Sequence, residues 1–129
     1  MRRTIFFFLL SMILVLALSA CASGDTAAQS VQDYYQALVN GDADRAIALS
    51  CADWEFNAQM EVDSFQAVDA SLDGFTCEQT GTDGDMAIVT CQGQIVMSYD
   101  GEDQFLDLSG QNFQVQNAGG DWLFCGYHE

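Results

Sequence analysis

The sequence predicts an α+β domain: N-terminal helices packed on one face of a curved, four-stranded antiparallel meander sheet. Two observations carry this reading. Between Ser30 and Ala67 the apolar residues recur every three or four positions, whereas from Val68 to Tyr127 they recur every second position. Turn signals then divide the second half into strands, at Gly81-Thr82-Asp83-Gly84-Asp85, Asp100-Gly101 and Asn117-Ala118-Gly119-Gly120. Helices that all precede the strands collect on one side of an antiparallel sheet. No proline occurs in the 129 residues, which suits long unbroken strands.

The first helix is expected over Ser30 to Asn40. Val31, Tyr34, Tyr35, Leu38 and Val39 form one apolar stripe. Ser30 can cap its start, and Asn40-Gly41 supplies the stop. Asp42 caps a second helix, Ala43 to about Cys51, with Ala43, Ala46, Ile47 and Ser50 on one face and Arg45 outside. A third helix is expected over Ala52 to about Ala67, because Trp54, Ala58, Val62 and Phe65 keep helical spacing. Glu55 and Glu61 lie off that stripe and are expected in solvent. Strand A starts at Val68, with a bulge at Asp73-Gly74 before Phe75 and Cys77. Strand B runs Met86 to Tyr99, its odd positions forming the buried face. Strand C covers Asp103 to Gln116 with a break at Ser109-Gly110, and strand D covers Asp121 to Tyr127. Strand D is apolar on both faces: Leu123, Cys125 and Tyr127 alternate with Trp122 and Phe124. One set meets the helices. The other needs cover, from its own chain or from a partner.

The N-terminus carries an address. Arg2 and Arg3 precede Ile5 to Leu18, fourteen residues whose only polar member is Ser11. As a helix this run would span about 21 Å, short of a bilayer core of roughly 30 Å, so it reads as a cleavable export signal. Leu18-Ser19-Ala20-Cys21 resembles a bacterial lipobox. That resemblance implies a lipoprotein: cleavage before Cys21, diacylglycerol on its sulfur, and an acyl chain such as palmitate on the new amine. The competing reading is an ordinary signal peptide with a chance cysteine. The expected organisation is a signal peptide over 1–20, a flexible tether over 21–29 and a domain over 30–129. The expected location is the extracytoplasmic face of the cell membrane, held by lipid.

The chain has 19 acidic residues against three basic ones, a formal charge of −16. Without Arg2 and Arg3 the only base is Arg45, and the side-chain charge becomes 1 − 19 = −18. Such a surface repels nucleic acid and anionic headgroups, and attracts cationic partners. Beyond Cys21, four cysteines remain: Cys51, Cys77, Cys91 and Cys125. An even number in an exported chain suggests disulfides; zinc is the rival, but there is no C-x-x-C spacing and His128 is the only histidine. Strands two apart in a meander stand about 9.6 Å apart, beyond the roughly 7 Å a disulfide spans. Cys125 on strand D therefore cannot reach Cys91 on B, nor Cys77 on A unless the sheet closes. Cys77 pairs with Cys91, and Cys51 with Cys125.

From Ser30 onward the domain resembles the nuclear-transport-factor-2-like (cystatin-like α+β) superfamily. The resemblance is carried by Tyr34-Tyr35-Gln36-Ala37-Leu38-Val39-Asn40-Gly41-Asp42 and by the final hairpin, Phe113-Gln114-Val115 through Gly119-Gly120 to Asp121-Trp122-Leu123-Phe124-Cys125. It implies a cone-shaped roll. Members include isomerases and dehydratases with Asp, His or Tyr inside the cone, and also proteins that only bind ligands or dimerise through the sheet. Fold alone does not choose among these.

No catalytic constellation can be assembled from the residues, so no enzyme activity, cofactor or metal is expected. His128 stands next to the C-terminus. Asp83-x-Asp85 and Asp100-x-Glu102-Asp103 lack the loop and terminal glutamate of a calcium site, and turn aspartates have local hydrogen-bonding reasons. Tyr34, Tyr35, Trp54, Phe65, Trp122 and Phe124 are the candidate pocket or interface residues; at such spacings they are more ordinarily core. The expected function is a membrane-anchored extracytoplasmic module, catalytically inert, that binds a ligand or another protein. The alternatives are an isomerase- or dehydratase-like enzyme, and a structural domain that forms a homodimer through the sheet. Because self-repulsion among the acids is screened by salt, the melting temperature is expected to rise with added sodium chloride, and a flat response would contradict strong self-repulsion.

Overall fold

The computed structural model describes residues 26–129. The expected signal segment, Cys21 and the tether up to Asp25 lie outside the described residues. Among the described residues three helices come first, α1 (Ala27–Val39), α2 (Ala43–Ala48) and α3 (Glu55–Phe65). Five strands follow, β1 (Asp69–Asp83), β2 (Met86–Tyr99), β3 (Glu102–Asp107), β4 (Asn112–Ala118) and β5 (Asp121–Tyr127). The α+β class and the helices-then-strands order are as the periodicity indicates.

Helix α1 starts three residues earlier than expected. Thr26, not Ser30, is the cap: its hydroxyl accepts the Gln29 N–H at 3.1 Å. Ala27 and Ala28 are good helix formers, and Ala27 is buried, so the helix extends into the expected tether. Ser30 consequently sits inside the helix, buried, and its hydroxyl has no hydrogen-bond partner. The C-terminus closes as a Schellman motif. Asp42 N–H donates to Ala37 C=O at 2.9 Å and Gly41 N–H to Leu38 C=O at 3.0 Å, with Gly41 at φ 68°.

Helix α2 is shorter than expected because the chain after it has a better partner. Leu49 C=O accepts the Phe124 N–H and Cys51 N–H donates to the Phe124 C=O, each at 2.8 Å. Ser50 thereby forms a parallel bridge with Phe124, and Leu49 to Cys51 covers part of the outer edge of β5. Helix α3 accordingly begins at Glu55, after a turn closed by Trp54 N–H on Cys51 C=O.

Among the described residues the sheet has five strands, not four, and it is open. Its order is β1-β2-β4-β5, with β3 also paired to β2. The expected strand C is two elements laid end to end along β2: β3 pairs with Gln94–Tyr99 and β4 with Met86–Thr90. Between them Leu108 turns into the core, Gly110 takes φ 79°, and Gly110 N–H bonds Cys91 C=O. What the sequence reading treats as a break within one strand is thus a complete interruption. The turn expected over Gly81 to Asp85 contracts to Gly84-Asp85, because β1 stays paired as far as Asp83.

Cys77–Cys91 and Cys51–Cys125 are disulfides, with Cα separations of 4.1 and 5.1 Å. Cys91 directs its N–H and C=O away from β1, toward Gln111 and Gly110. Cys77 and Cys91 are therefore a non-hydrogen-bonded cross-strand pair, the closer of the two antiparallel spacings. The second bridge fixes the α2–α3 connection to β5 and closes 74 residues of sequence separation. In the chain-entropy account the short loop contributes about 3 kcal/mol and the long one about 4.5 kcal/mol.

A bulge shapes the long β1–β2 ribbon. The register passes from Asp73↔Gln94 to Thr76↔Gln92, leaving Gly74-Phe75 opposite Gly93. Gly93 has φ 105°, and a Cβ there would lie 2.5 Å from the Gly74 carbonyl oxygen. Gly93→Ala is expected to cost about 3 kcal/mol, through backbone strain plus displacement of β1. Urea unfolding of the variant measures it; a cost under about 1 kcal/mol would show that the ribbon yields there.

Candidate functional site

A carboxylate held by two tyrosines lies where α1, α3 and β5 meet. Tyr34 Oη donates to Glu61 Oε2 at 2.6 Å, and Tyr127 Oη donates to Glu61 Oε1 at 3.0 Å. Trp54 Nε1 donates to Tyr34 Oη at 3.1 Å, and Tyr35 Oη stands 3.5 Å from Tyr127 Oη. The helical spacing predicts Glu61 in solvent; instead it is half-buried and accepts two hydrogen bonds. A signal for this does exist in the sequence: Glu61 stands seven residues after Trp54 and four before Phe65, so it borders the apolar stripe.

Tyr127 reaches the cluster because β5 is bulged. Val115 faces Phe124 but Phe113 faces Tyr127, so β5 spends one more residue than β4 across that interval. The extra residue, at Cys125-Gly126, brings Tyr127 to the helix side, where strict alternation would have placed it outside. Gly126 makes this possible. It has φ 103°, and a Cβ would stand 2.6 Å from the Trp54 ring, which lies on its backbone.

The electrostatics follow from burial. Desolvation raises the Glu61 pKa from its ordinary 4.5, opposed by the two tyrosine hydrogen bonds. Tyr34, Tyr35 and Tyr127 are all pushed above the usual tyrosine value, chiefly by desolvation and further by the nearby Glu61 carboxylate. The phenols remain proton donors through the neutral range.

The candidate pocket residues have definite places. Tyr34 stacks on Phe124 with ring centroids 4.0 Å apart and an interplanar angle of 10°. Tyr35 and Trp54 pack edge-on against the same Phe124 ring. Tyr34, Tyr35 and Phe124 are buried, so they fill the core rather than line a cavity. Trp122 and Phe65 are partly buried against that core; Phe65 also lines a surface groove of about 460 Å³ beside Gln66 and Asp69. On β5 it is Trp122 and Phe124 that meet the core, while Cys125 on the other set is held by Cys51 of the same chain. Among the described residues there is no cluster of three or more metal-ligating side chains, and no helix is long and apolar enough to cross a membrane. The His128 Nδ1 lies 3.9 Å from an Asp83 carboxylate oxygen, and the His128 backbone N–H donates to Asn112 C=O.

No family model matches the chain, and no curated protein does. Among solved structures it is similar to a SEC-C motif containing protein from Rhodopseudomonas palustris, with 15% identity and a TM-score of 0.52, over 79% of this chain and 78% of that one. This likeness is one of fold. It overturns the nuclear-transport-factor-2-like identification of the domain: the solved structure that the chain resembles is of another description, and the sheet is open where a cone was implied.

Glu61 favours folding when neutral. With its folded pKa raised, that contribution is fully present below pH 4.5 and is lost as pH rises through the raised value. Relative to wild type, Glu61→Gln should therefore gain stability from about pH 4 to pH 8, measured by urea unfolding at each pH. A difference that does not change with pH would mean that Glu61 titrates normally.

Proposed function

We propose that this chain is a non-catalytic protein-interaction module, tethered by lipid at Cys21 to the extracytoplasmic face of the cell membrane. The observation that carries the interaction role is the contrast between a filled interior and large apolar side chains left on an acidic exterior. Tyr34 is fully enclosed by its neighbours, whereas Phe56 is 74% exposed, Phe105 62% and Met60 55%. Phe56 and Met60 stand one helical turn apart on α3, opposite the buried Ala58 and Val62. Exposed large side chains grouped in this way suit contact with another protein. The Glu61–Tyr34 pair is the chemistry an isomerase would use. Its enclosure by Phe124 and Trp54 gives a substrate no approach to Tyr34, which favours the interaction reading.

Support for the tether comes from Leu18-Ser19-Ala20-Cys21 behind a basic, apolar leader. The disulfides suit an oxidising compartment. The acidic surface suits a partner that is basic rather than nucleic acid or anionic lipid.

Two experiments on the full chain in intact cells test the two halves of the proposal. Radiolabelled palmitate should enter the wild-type chain and not Cys21→Ser, which should move to the soluble fraction; equal labelling of both would remove the tether. A photo-crosslinking phenylalanine analogue placed at Phe56 or Phe105 should give discrete protein adducts that are missing when it stands at exposed Asp121. Failure of both positions to give adducts would remove the interaction role.

A further inference from the structure

Among the described residues, strand β3 presents the unbroken free edge of the sheet. β1 is interrupted by register shifts after Asp73 and after Gln79, and the β5 edge is partly covered by Leu49 to Cys51. β3 pairs in continuous register with β2, and all six of its residues are exposed. Its outward groups can be identified. The two-residue turn Asp100-Gly101, with φ 50° and 81°, makes Tyr99 and Glu102 the closing hydrogen-bonded pair. Alternation then directs Glu102, Gln104 and Leu106 toward β2, and the backbone N–H and C=O of Asp103, Phe105 and Asp107 outward. Leu108, in the same phase as Leu106, does bond inward, donating to Gly93 C=O at 2.9 Å. The side chains of Asp103, Phe105 and Asp107 share the sheet face turned away from the helices, since Phe105 faces Val96 and the adjacent Ile95 is core.

We propose that this edge receives an extended segment of a basic partner protein as an added antiparallel strand. Its alternate residues are basic, apolar and basic, set against Asp103, Phe105 and Asp107. Charge selects the occupant. A second copy would bring the same acids into register, and like charges directly opposite are destabilising. Lys or Arg there would be paired, while backbone hydrogen bonds supply the affinity of strand addition. This rests on the interaction reading above and names its partner class.

The probe is the palindromic peptide Lys-Thr-Lys-Thr-Val-Thr-Lys-Thr-Lys, blocked at both ends and titrated into the disulfide-bonded full chain in detergent, followed by amide NMR. The Asp103, Phe105 and Asp107 amides should shift. Affinity should fall by about tenfold or more when the central valine is N-methylated, when lysines are replaced by glutamates, and in Phe105→Pro. Phe105→Pro removes an outward N–H and leaves the β2 ladder intact, so the variant is expected to fold. Phe105→Ala should weaken binding less, and Phe56→Ala not at all. No binding, binding that Phe105→Pro and N-methylation leave unchanged, or β3 shifts that follow protein concentration without peptide would each overturn the proposal. Crosslinks from Phe56 without peptide binding at β3 would leave the broader interaction reading standing.

Discussion

Phe124 is the residue on which the arrangement turns. Its ring is stacked by Tyr34 and met edge-on by Tyr35 and Trp54, with Phe113 tilted against it. Its backbone N–H and C=O hold the Leu49 to Cys51 segment, and the next residue is bridged to Cys51. One position therefore ties helix α1, the α2–α3 connection and the last two strands together. Aromatic contacts of this kind add to the area they bury, by about 0.5–1.5 kcal/mol per pair. The early end of α2 follows from this: two backbone bonds to Phe124 compete with a further helical turn.

The polar cluster is a consequence of the same anchor. With Phe124 fixed, the bulge at Cys125-Gly126 decides which side of the sheet Tyr127 occupies, and Trp54 lies on the space that Gly126 leaves. Glu61 is then met by two hydroxyls rather than by water. The half-buried carboxylate is tolerable because both oxygens are hydrogen-bonded. The cluster reads as a device that fixes α3 against α1 and β5.

The surface tells a different story from the interior. Arg45 is the one base among the described residues, and its Asp33 contact at 3.9 Å is exposed enough to add little. The remaining acids are a field without internal compensation. On β3 it places Asp103 and Asp107 along an open edge, where like charges directly opposite disfavour pairing with a second acidic strand.

Much of the fold was legible in the sequence because it rests on local physics. The change of period at Val68, the cap at Asp42 and the Asp100-Gly101 turn are set by neighbours a few residues away. The division of strand C is not legible because pairing partners along β2 lie far away in sequence: Ser109-Gly110 announces a bend, but only the docking of Leu108 into the core makes two strands of one. The burial of Glu61 is hidden for a related reason, since a carboxylate on the margin of an apolar stripe is wet or buried according to what faces it. By itself the sequence determined the element types, their order and the acidic surface, through spacing and composition. Only the tertiary structure decided the number of strands, the open sheet and the joining of Glu61 to Tyr34 and Tyr127, because long-range contacts and a single bulge residue set which side chains meet.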